Sequence, residues 1–296
     1  MFPALLLVAS LVNDVRELIA NNNFAAAERA VRTYQVRTGG TSESAAALSW
    51  LARAALNAKH FDQAQAYAAE TRKLTLELLR TRKLDADPWL PTALGASIEV
   101  HAQALAASGE RSEAVSFLRQ QVAAYGTTSI GERIRKNLNL LSMEGKPAPA
   151  LELAEWLGTK PPTLAALHGH PVLLFFWAHW CADCKAEGPI LASLMKTYGP
   201  KGLTVMAPTR RYGYVAGGED AAPAVEKQYI ERVRQQYYPA MAGIPIPLSA
   251  ANFLAYGCST TPTIVLLDAA GIVRFYHPGA LSESELSSQI QKILGP

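Results

Sequence analysis

The chain has 296 residues, 49% of them hydrophobic and 18% charged, with a net charge of +3 and three cysteines. At roughly 150 residues per domain this length implies two domains, each with room for a core. Lysine plus arginine stands against aspartate plus glutamate at 16 to 13 over residues 1–142 and 12 to 12 over 143–296, so neither part has the basic excess of a nucleic-acid binder. A mean hydropathy of +0.04 and the lack of an 18-residue apolar run argue against a multi-span membrane protein.

The first element is ambiguous. Residues 1–12 (MFPALLLVASLV) form a short apolar run ending near the small residues Val8-Ala9-Ser10, yet no basic residue precedes Arg16. It reads either as an atypical signal or anchor segment or as the first apolar helix of the fold. From residue 11 to 142 apolar positions recur three and four apart in an Ala-, Leu-, Glu- and Arg-rich background, the period of helices throughout. A pattern returns within it: Leu18…Phe24-x-x-Ala27, then Leu48-x-x-Leu51-Ala52-x-x-Ala55…Phe61-x-x-Ala64, then Ile98…Ala102-x-x-Leu105…Gly109…Ala114. These copies resemble tetratricopeptide repeats, in which a small residue lets two helices approach closely, although their spacings of 37 and 50 residues exceed that family's period of about 34. An ordinary bundle with Ala-rich contacts is the alternative. Either architecture makes residues 1–142 a docking or structural module that binds a protein partner.

Proline-containing breaks at Glu144–Pro149 and Lys160-Pro161-Pro162 stop helices and push the preceding residues to extended geometry. The domain boundary is therefore expected near residue 143, with a second domain over 143–296. There the pattern changes to strands over 172–178, 203–208, 263–268 and 272–276, and helices over 181–198, 224–238 and 282–294. This is an α/β sheet covered on both faces. The chain as a whole is then two-domain, an all-α helical-repeat domain followed by an α/β domain.

The most informative stretch is Trp180-Cys181-Ala182-Asp183-Cys184, directly after the apolar run Val172–Trp177. A helix starting at Cys181 would aim backbone N–H groups and a positive dipole end at its sulfur, lowering the thiol pKa. Cys184, one turn later, lies within reach of a disulfide. A zinc half-site is the competing use of such a pair, but zinc takes four ligands and neither a second CxxC nor an HxxxH is present.

Four separated motifs then carry a resemblance over residues 143–296: Gly145-Lys146-x-Ala148-Pro149, Phe176-Trp177-Ala178-x-Trp180-Cys181-x-x-Cys184-Lys185-x-Glu187-x-Pro189, Tyr256-Gly257-x-x-x-Thr261-Pro262-Thr263, and Leu267-Asp268-x-x-Gly271. Together they resemble the thioredoxin-like superfamily, in particular its TlpA/ResA branch of extracytoplasmic thiol–disulfide oxidoreductases. The resemblance implies a thioredoxin-like fold and no cofactor or metal. It also implies a Cys181–Cys184 pair that exchanges electrons with protein disulfide or dithiol clients and with a redox partner protein. It makes Cys181 the exposed attacking thiolate and Cys184 the resolving thiol. Glu187 becomes a carboxylate that relays a proton near them. Thr261 and Pro262 become a cis-proline turn that receives an extended client strand, and Trp180 a lid beside the sulfurs. It further implies a periplasmic or other extracytoplasmic location; without an export signal the location would be cytoplasmic. Pro189 is expected to kink the active-site helix and Trp177 to sit in the core.

Two residues depart from the pattern. Asp183 stands where the branch has proline, and His179 where it has a small or neutral residue. His179 is expected on the surface without function, the alternative being an imidazolium that steadies the Cys181 thiolate. Cys258, at an ordinarily apolar position, is expected to act as a small buried hydrophobe. The polar, Gly-rich loop 210–220 receives no role. Two other functions compete with thiol–disulfide exchange. A peroxiredoxin-type thiol peroxidase would need a Thr three residues before its cysteine, where Ala178 stands. A helical-repeat adaptor with a minor redox role would have no use for an intact CxxC, Glu187 and Thr261-Pro262.

Overall fold

The computed structural model of the protein describes residues 10–294. The part of the apolar run expected as signal or anchor that covers residues 1–9 lies outside the described residues, whereas Leu11 and Val12 are buried in the first helix. The chain divides into two compact units between Asn137 and Leu138. Among the described residues no helix is long and apolar enough to cross a membrane.

The first unit is helical: α1 (Leu11–Ala20), α2 (Phe24–Thr38), α3 (Ser42–Asn57), α4 (Phe61–Leu78), α5 (Trp89–Ala107), α6 (Arg111–Tyr125) and the start of α7 (Gly131–Ser142). Three successive pairs, α1–α2, α3–α4 and α5–α6, are closed by one and the same turn. A single left-handed residue follows the first helix of each pair, Asn22 (φ 57°), Lys59 (φ 61°) and Gly109 (φ 94°). The next amide then reaches back five residues, Asn23 to Leu18, His60 to Ala55 and Glu110 to Leu105. This pattern satisfies the carbonyls that a helix end leaves free. In the second helix of each pair the fourth residue is an alanine, Ala27, Ala64 and Ala114, and each is wholly buried. With only a methyl group at the crossing, the backbones pack closely. The wider spacing of the third pair has two local causes: three residues join α2 to α3 but ten (79–88), containing a 3-10 turn at Leu84–Ala86, join α4 to α5, and α4 and α5 (18 and 19 residues) are each three residues longer than α2 and α3 (15 and 16).

The second unit is built on a four-stranded mixed sheet. Its elements are β1 (Trp156–Leu157), β2 (Val172–Phe176), α8 (Ala182–Ala186), α9 (Gly188–Tyr198), β3 (Thr204–Met206), α10 (Pro223–Tyr237), β4 (Ile246–Pro247), α11 (Ala250–Tyr256), β5 (Thr263–Leu267), β6 (Val273–Pro278) and α12 (Glu283–Leu294). The sheet order is β3-β2-β5-β6, with β2 parallel to β3 and antiparallel to β5, while β1 and β4 form a separate two-stranded ribbon. All five residues of β2 and all five of β5 are buried. Period-two alternation explains why a continuous apolar run is required. Leu173 and Phe175 face one core with Ile264, Leu266 and Leu194, whereas Val172, Leu174 and Phe176 face the other with Val265, Phe253 and Tyr256. Each such side chain removed from water contributes about 1.5–3 kcal/mol.

The register of β2 against β5 sets up the site. Phe176 pairs with Thr263. The segment leaving the end of β2 and the segment entering the start of β5 therefore meet at the same edge.

Candidate active site

That edge holds the two cysteines. The helix expected over 181–198 is two helices. α8 runs 182–186 with Cys181 as its N-cap, and α9 begins at Gly188. Pro189 in the first turn of α9 has no N–H to offer the carbonyl of Lys185, so the ladder is interrupted there. Gly188 allows the bend, since a Cβ at this position would stand 2.6 Å from the carbonyl oxygen of Tyr237.

Cys181 and Cys184 are joined in a disulfide with Cα atoms 5.3 Å apart. The Sγ of Cys181 accepts the backbone N–H of Cys184 at 3.0 Å, the contact by which an N-cap residue satisfies a free helix amide. The same donor would stabilise a thiolate on Cys181 once the disulfide opens. Cys181 was expected to be exposed, but it is only 3% exposed. The cause is the turn entering β5: the Thr261–Pro262 peptide is cis, Pro262 is buried, and the carbonyl oxygen of Thr261 stands 3.5 Å from Cys181 Sγ. Cys184 is fully buried. Trp180 remains 48% exposed and meets Tyr212 edge-on at 5.5 Å. Trp177 is in the core and donates its indole N–H to Ala207 O at 3.0 Å.

Glu187 closes α8 one turn after Cys184 and is 3% exposed. Its Oε1 accepts the N–H of Leu281 at 2.7 Å, and its Oε2 is buried without a hydrogen-bond partner. Burial raises its pKa from the ordinary 4.5 to about 7; the Leu281 amide opposes the rise and the charge of Asp183 adds to it. Its proton therefore leaves or arrives near neutral pH. Tyr238, buried against Trp177, has its phenol pKa pushed up by burial and then by the charge of Glu187.

His179 is not a surface residue. It is 1% exposed, enclosed edge-on by Tyr212, Tyr214 and Tyr229 at 5.6, 5.3 and 5.3 Å. Its Nε2 lies 3.3 Å from Glu226 Oε1, within ion-pair distance but outside hydrogen-bond alignment. Burial pushes the imidazole below its usual pKa; the charge of Glu226 opposes this and Lys185 adds to it. Burial thus disfavours the imidazolium that would steady the Cys181 thiolate. Its surroundings were invisible in the sequence because Glu226 and the tyrosines lie 33 to 50 residues downstream.

The loop left without a role borders this cluster. Buried Glu226 accepts the consecutive amides of Tyr212 (2.5 Å) and Gly213 (3.0 Å). Thr209 donates its hydroxyl to Trp177 O at 2.8 Å, and the Arg210 guanidinium lies over the rings of Tyr212 and Phe253. Sequence reasoning missed Glu226 and Tyr212. Nothing in their spacing marks them, since Tyr212 and Tyr214 stand 14 and 12 residues before Glu226. Cys258 is buried, as expected of a small hydrophobe.

A thioredoxin-like domain family model matches residues 162–294. The thiol:disulfide interchange protein DsbE of Xylella fastidiosa is 31% identical over 154 residues, covering 51% of this chain and 68% of that protein. The thioredoxin-like protein YneN of Bacillus subtilis is 31% identical over 147 residues, 50% of this chain and 78% of that one. The chain belongs to the thioredoxin-like thiol–disulfide oxidoreductases. The thiol-disulfide oxidoreductase ResA of Oceanobacillus iheyensis, 27% identical over 161 residues, covers 53% of this chain and 77% of its own length. As a thiol–disulfide oxidoreductase the protein is an enzyme with protein dithiol clients.

Proposed function

We propose that Cys181 and Cys184 are the redox pair, with Cys181 attacking and Cys184 resolving. The observation that carries this reading is the Cys184 N–H aimed at Cys181 Sγ at 3.0 Å. In the reduced enzyme the Cys181 thiolate attacks one sulfur of a client disulfide, and a Cys181–client disulfide forms as the client's S–S bond breaks. The departing client thiolate takes up a proton. Cys184 then gives its proton to Glu187 and attacks Cys181 Sγ. The second client thiolate leaves and is protonated, so two electrons have passed from the enzyme to the client. The same steps in reverse oxidise a client dithiol.

Burial of Cys184 and the raised pKa of Glu187 support the assignment of Glu187, because a buried thiol needs a nearby base that is half-ionised at neutral pH. The Thr261 carbonyl and Pro262 next to Cys181, with exposed Trp180 beside them, are read as the surface that receives an extended client segment. The helical unit is read as a tetratricopeptide-like module that receives a protein partner, supported by its three identically closed helix pairs. The work is assigned to a periplasmic or other extracytoplasmic compartment on the resemblance to the TlpA/ResA branch. The test is Cys181→Ser in an insulin-reduction assay: turnover should disappear, and unchanged turnover would overturn the assignment.

A further inference from the structure

Tyr238 is a buried titratable group to which the exchange steps give no task. It caps α10, donating its N–H to Arg234 O at 2.9 Å. Its ring lies in the core, with the centroid 5.0 Å from that of Trp177 and 6.4 Å from that of Phe175. Packing of this kind needs only the ring, and phenylalanine would supply it. The hydroxyl is a separate matter. Tyr238 is 1% exposed, and among the described residues its oxygen has no hydrogen-bond partner. A buried hydroxyl left unpaired is unfavourable, so its presence calls for an acceptor.

The acceptor at hand is Glu187. A Cβ on Gly188, the next residue, would stand 3.3 Å from Tyr238 Cδ1, and the charge of Glu187 bears on the phenol. Oε1 of Glu187 is occupied by the Leu281 amide at 2.7 Å, whereas Oε2 is buried without a partner. Neighbouring side chains thus carry one unpaired donor and one unpaired acceptor. Oε2 is also the oxygen left open for the Cys184 proton. A phenol hydroxyl suits both states of that oxygen, since it donates to a carboxylate and accepts from a carboxylic acid. The remaining charges near this place are engaged or distant in effect. Asp183 on α8 adds to the rise in the Glu187 pKa. The Lys185 ammonium lies over the Tyr237 ring at 4.7 Å, and Arg234 is held by Glu231 and by Met241 O.

We infer that Tyr238 is a positioning residue of the exchange reaction: once the disulfide opens, its hydroxyl hydrogen-bonds Glu187 Oε2 and keeps that oxygen ready for the Cys184 proton. The inference rests on the assignment of Glu187 as the acceptor of that proton and adds the group that sets its basicity. A donor to a carboxylate favours the ionised form. Tyr238 therefore offsets part of the burial that pushes Glu187 toward its protonated, unreactive state.

The full chain, reduced and in excess, is mixed in stopped flow with the homodisulfide of a fluorescein-labelled cysteine peptide. Anisotropy rises as one half joins Cys181 and falls as Cys184 releases it, so the fall reads the resolving step alone. In the parent the rate of the fall should increase with pH about a midpoint of about 7. Tyr238→Phe should move that midpoint up by about one pH unit, the loss of one hydrogen bond to a charged oxygen. The fall then slows about fivefold at about pH 7 and recovers by about pH 9. The earlier rise should keep the parent's rate, which shows that the variant folds. Glu187→Gln should abolish the dependence near neutrality, and adding Tyr238→Phe to it should slow the fall no further. An unmoved midpoint in Tyr238→Phe, slowing by the same factor at every pH, or further slowing on top of Glu187→Gln would overturn the inference. A profile that Glu187→Gln leaves unchanged would instead strike the Glu187 assignment on which it rests.

Discussion

Replacing Glu187 with Gln isolates the energetic role of a buried carboxylate. Gln keeps the acceptor for the Leu281 amide and nearly the same volume, and removes only the ionisation. In the folded protein the carboxyl pKa is raised from 4.5 to about 7. The folded state therefore holds this proton more tightly than the unfolded chain. Its stability contribution is fully present below about pH 4.5, declines as pH rises between 4.5 and about 7, and is lost above that. At about 1.4 kcal/mol per tenfold change in proton affinity, the penalty above neutrality is about 3 kcal/mol. Urea unfolding of the oxidised protein, so that no thiol titrates, is measured for the parent and the Gln variant at about pH 5 and about pH 8. The variant should gain about 2.5 kcal/mol on the parent between the two values, because part of the contribution is already lost at about pH 5. A stability difference that does not change with pH would show that Glu187 is solvated or already ionised, and would remove the proton-relay argument with it.

Three further outcomes follow from single contacts. Glu226→Ala deprives the Tyr212 and Gly213 amides of their acceptor and should cost about 3 kcal/mol in urea unfolding while raising the KM for a peptide client more than it lowers kcat; an unchanged KM would mean that the loop does not shape the client surface. Gly188→Ala places a Cβ against the Tyr237 carbonyl and should destabilise the protein by about 1–3 kcal/mol, read as a lower Tm; a neutral result would show that α8 and α9 can move apart freely. Cys258→Ala should leave insulin reduction intact and lower stability by about 1 kcal/mol; loss of turnover would give this third thiol a redox role.

Legibility in the sequence followed the range of the forces involved. The buried strands β2 and β5 were readable because a sheet covered on both faces demands an uninterrupted apolar run. The repeated helix pairs were readable because the buried alanine recurs at the same offset from each turn. Where burial depends on distant partners, local reading failed. His179 looked like a surface residue because its enclosure comes from Tyr212, Tyr214, Tyr229 and Glu226. Cys181 looked exposed because its cover is the Thr261–Pro262 turn, brought over it by the β2–β5 register. Short α11 went unread although it carries both punctuation marks, Ser249 capping the Ala251 amide and Gly257 left-handed at φ 64°. The ribbon of β1 and β4 is two residues per strand, too short to show any period.

The central claim is that Cys181 is the sulfur that meets the client and Cys184 the one that releases it. Removing the resolving thiol should freeze the exchange halfway. In Cys184→Ala, insulin or a disulfide-containing peptide should remain attached as a mixed disulfide, and mass spectrometry of the trapped complex should place the linkage on Cys181. A linkage on Cys258, or no trapped complex while Cys181→Ala does trap one, would contradict the account.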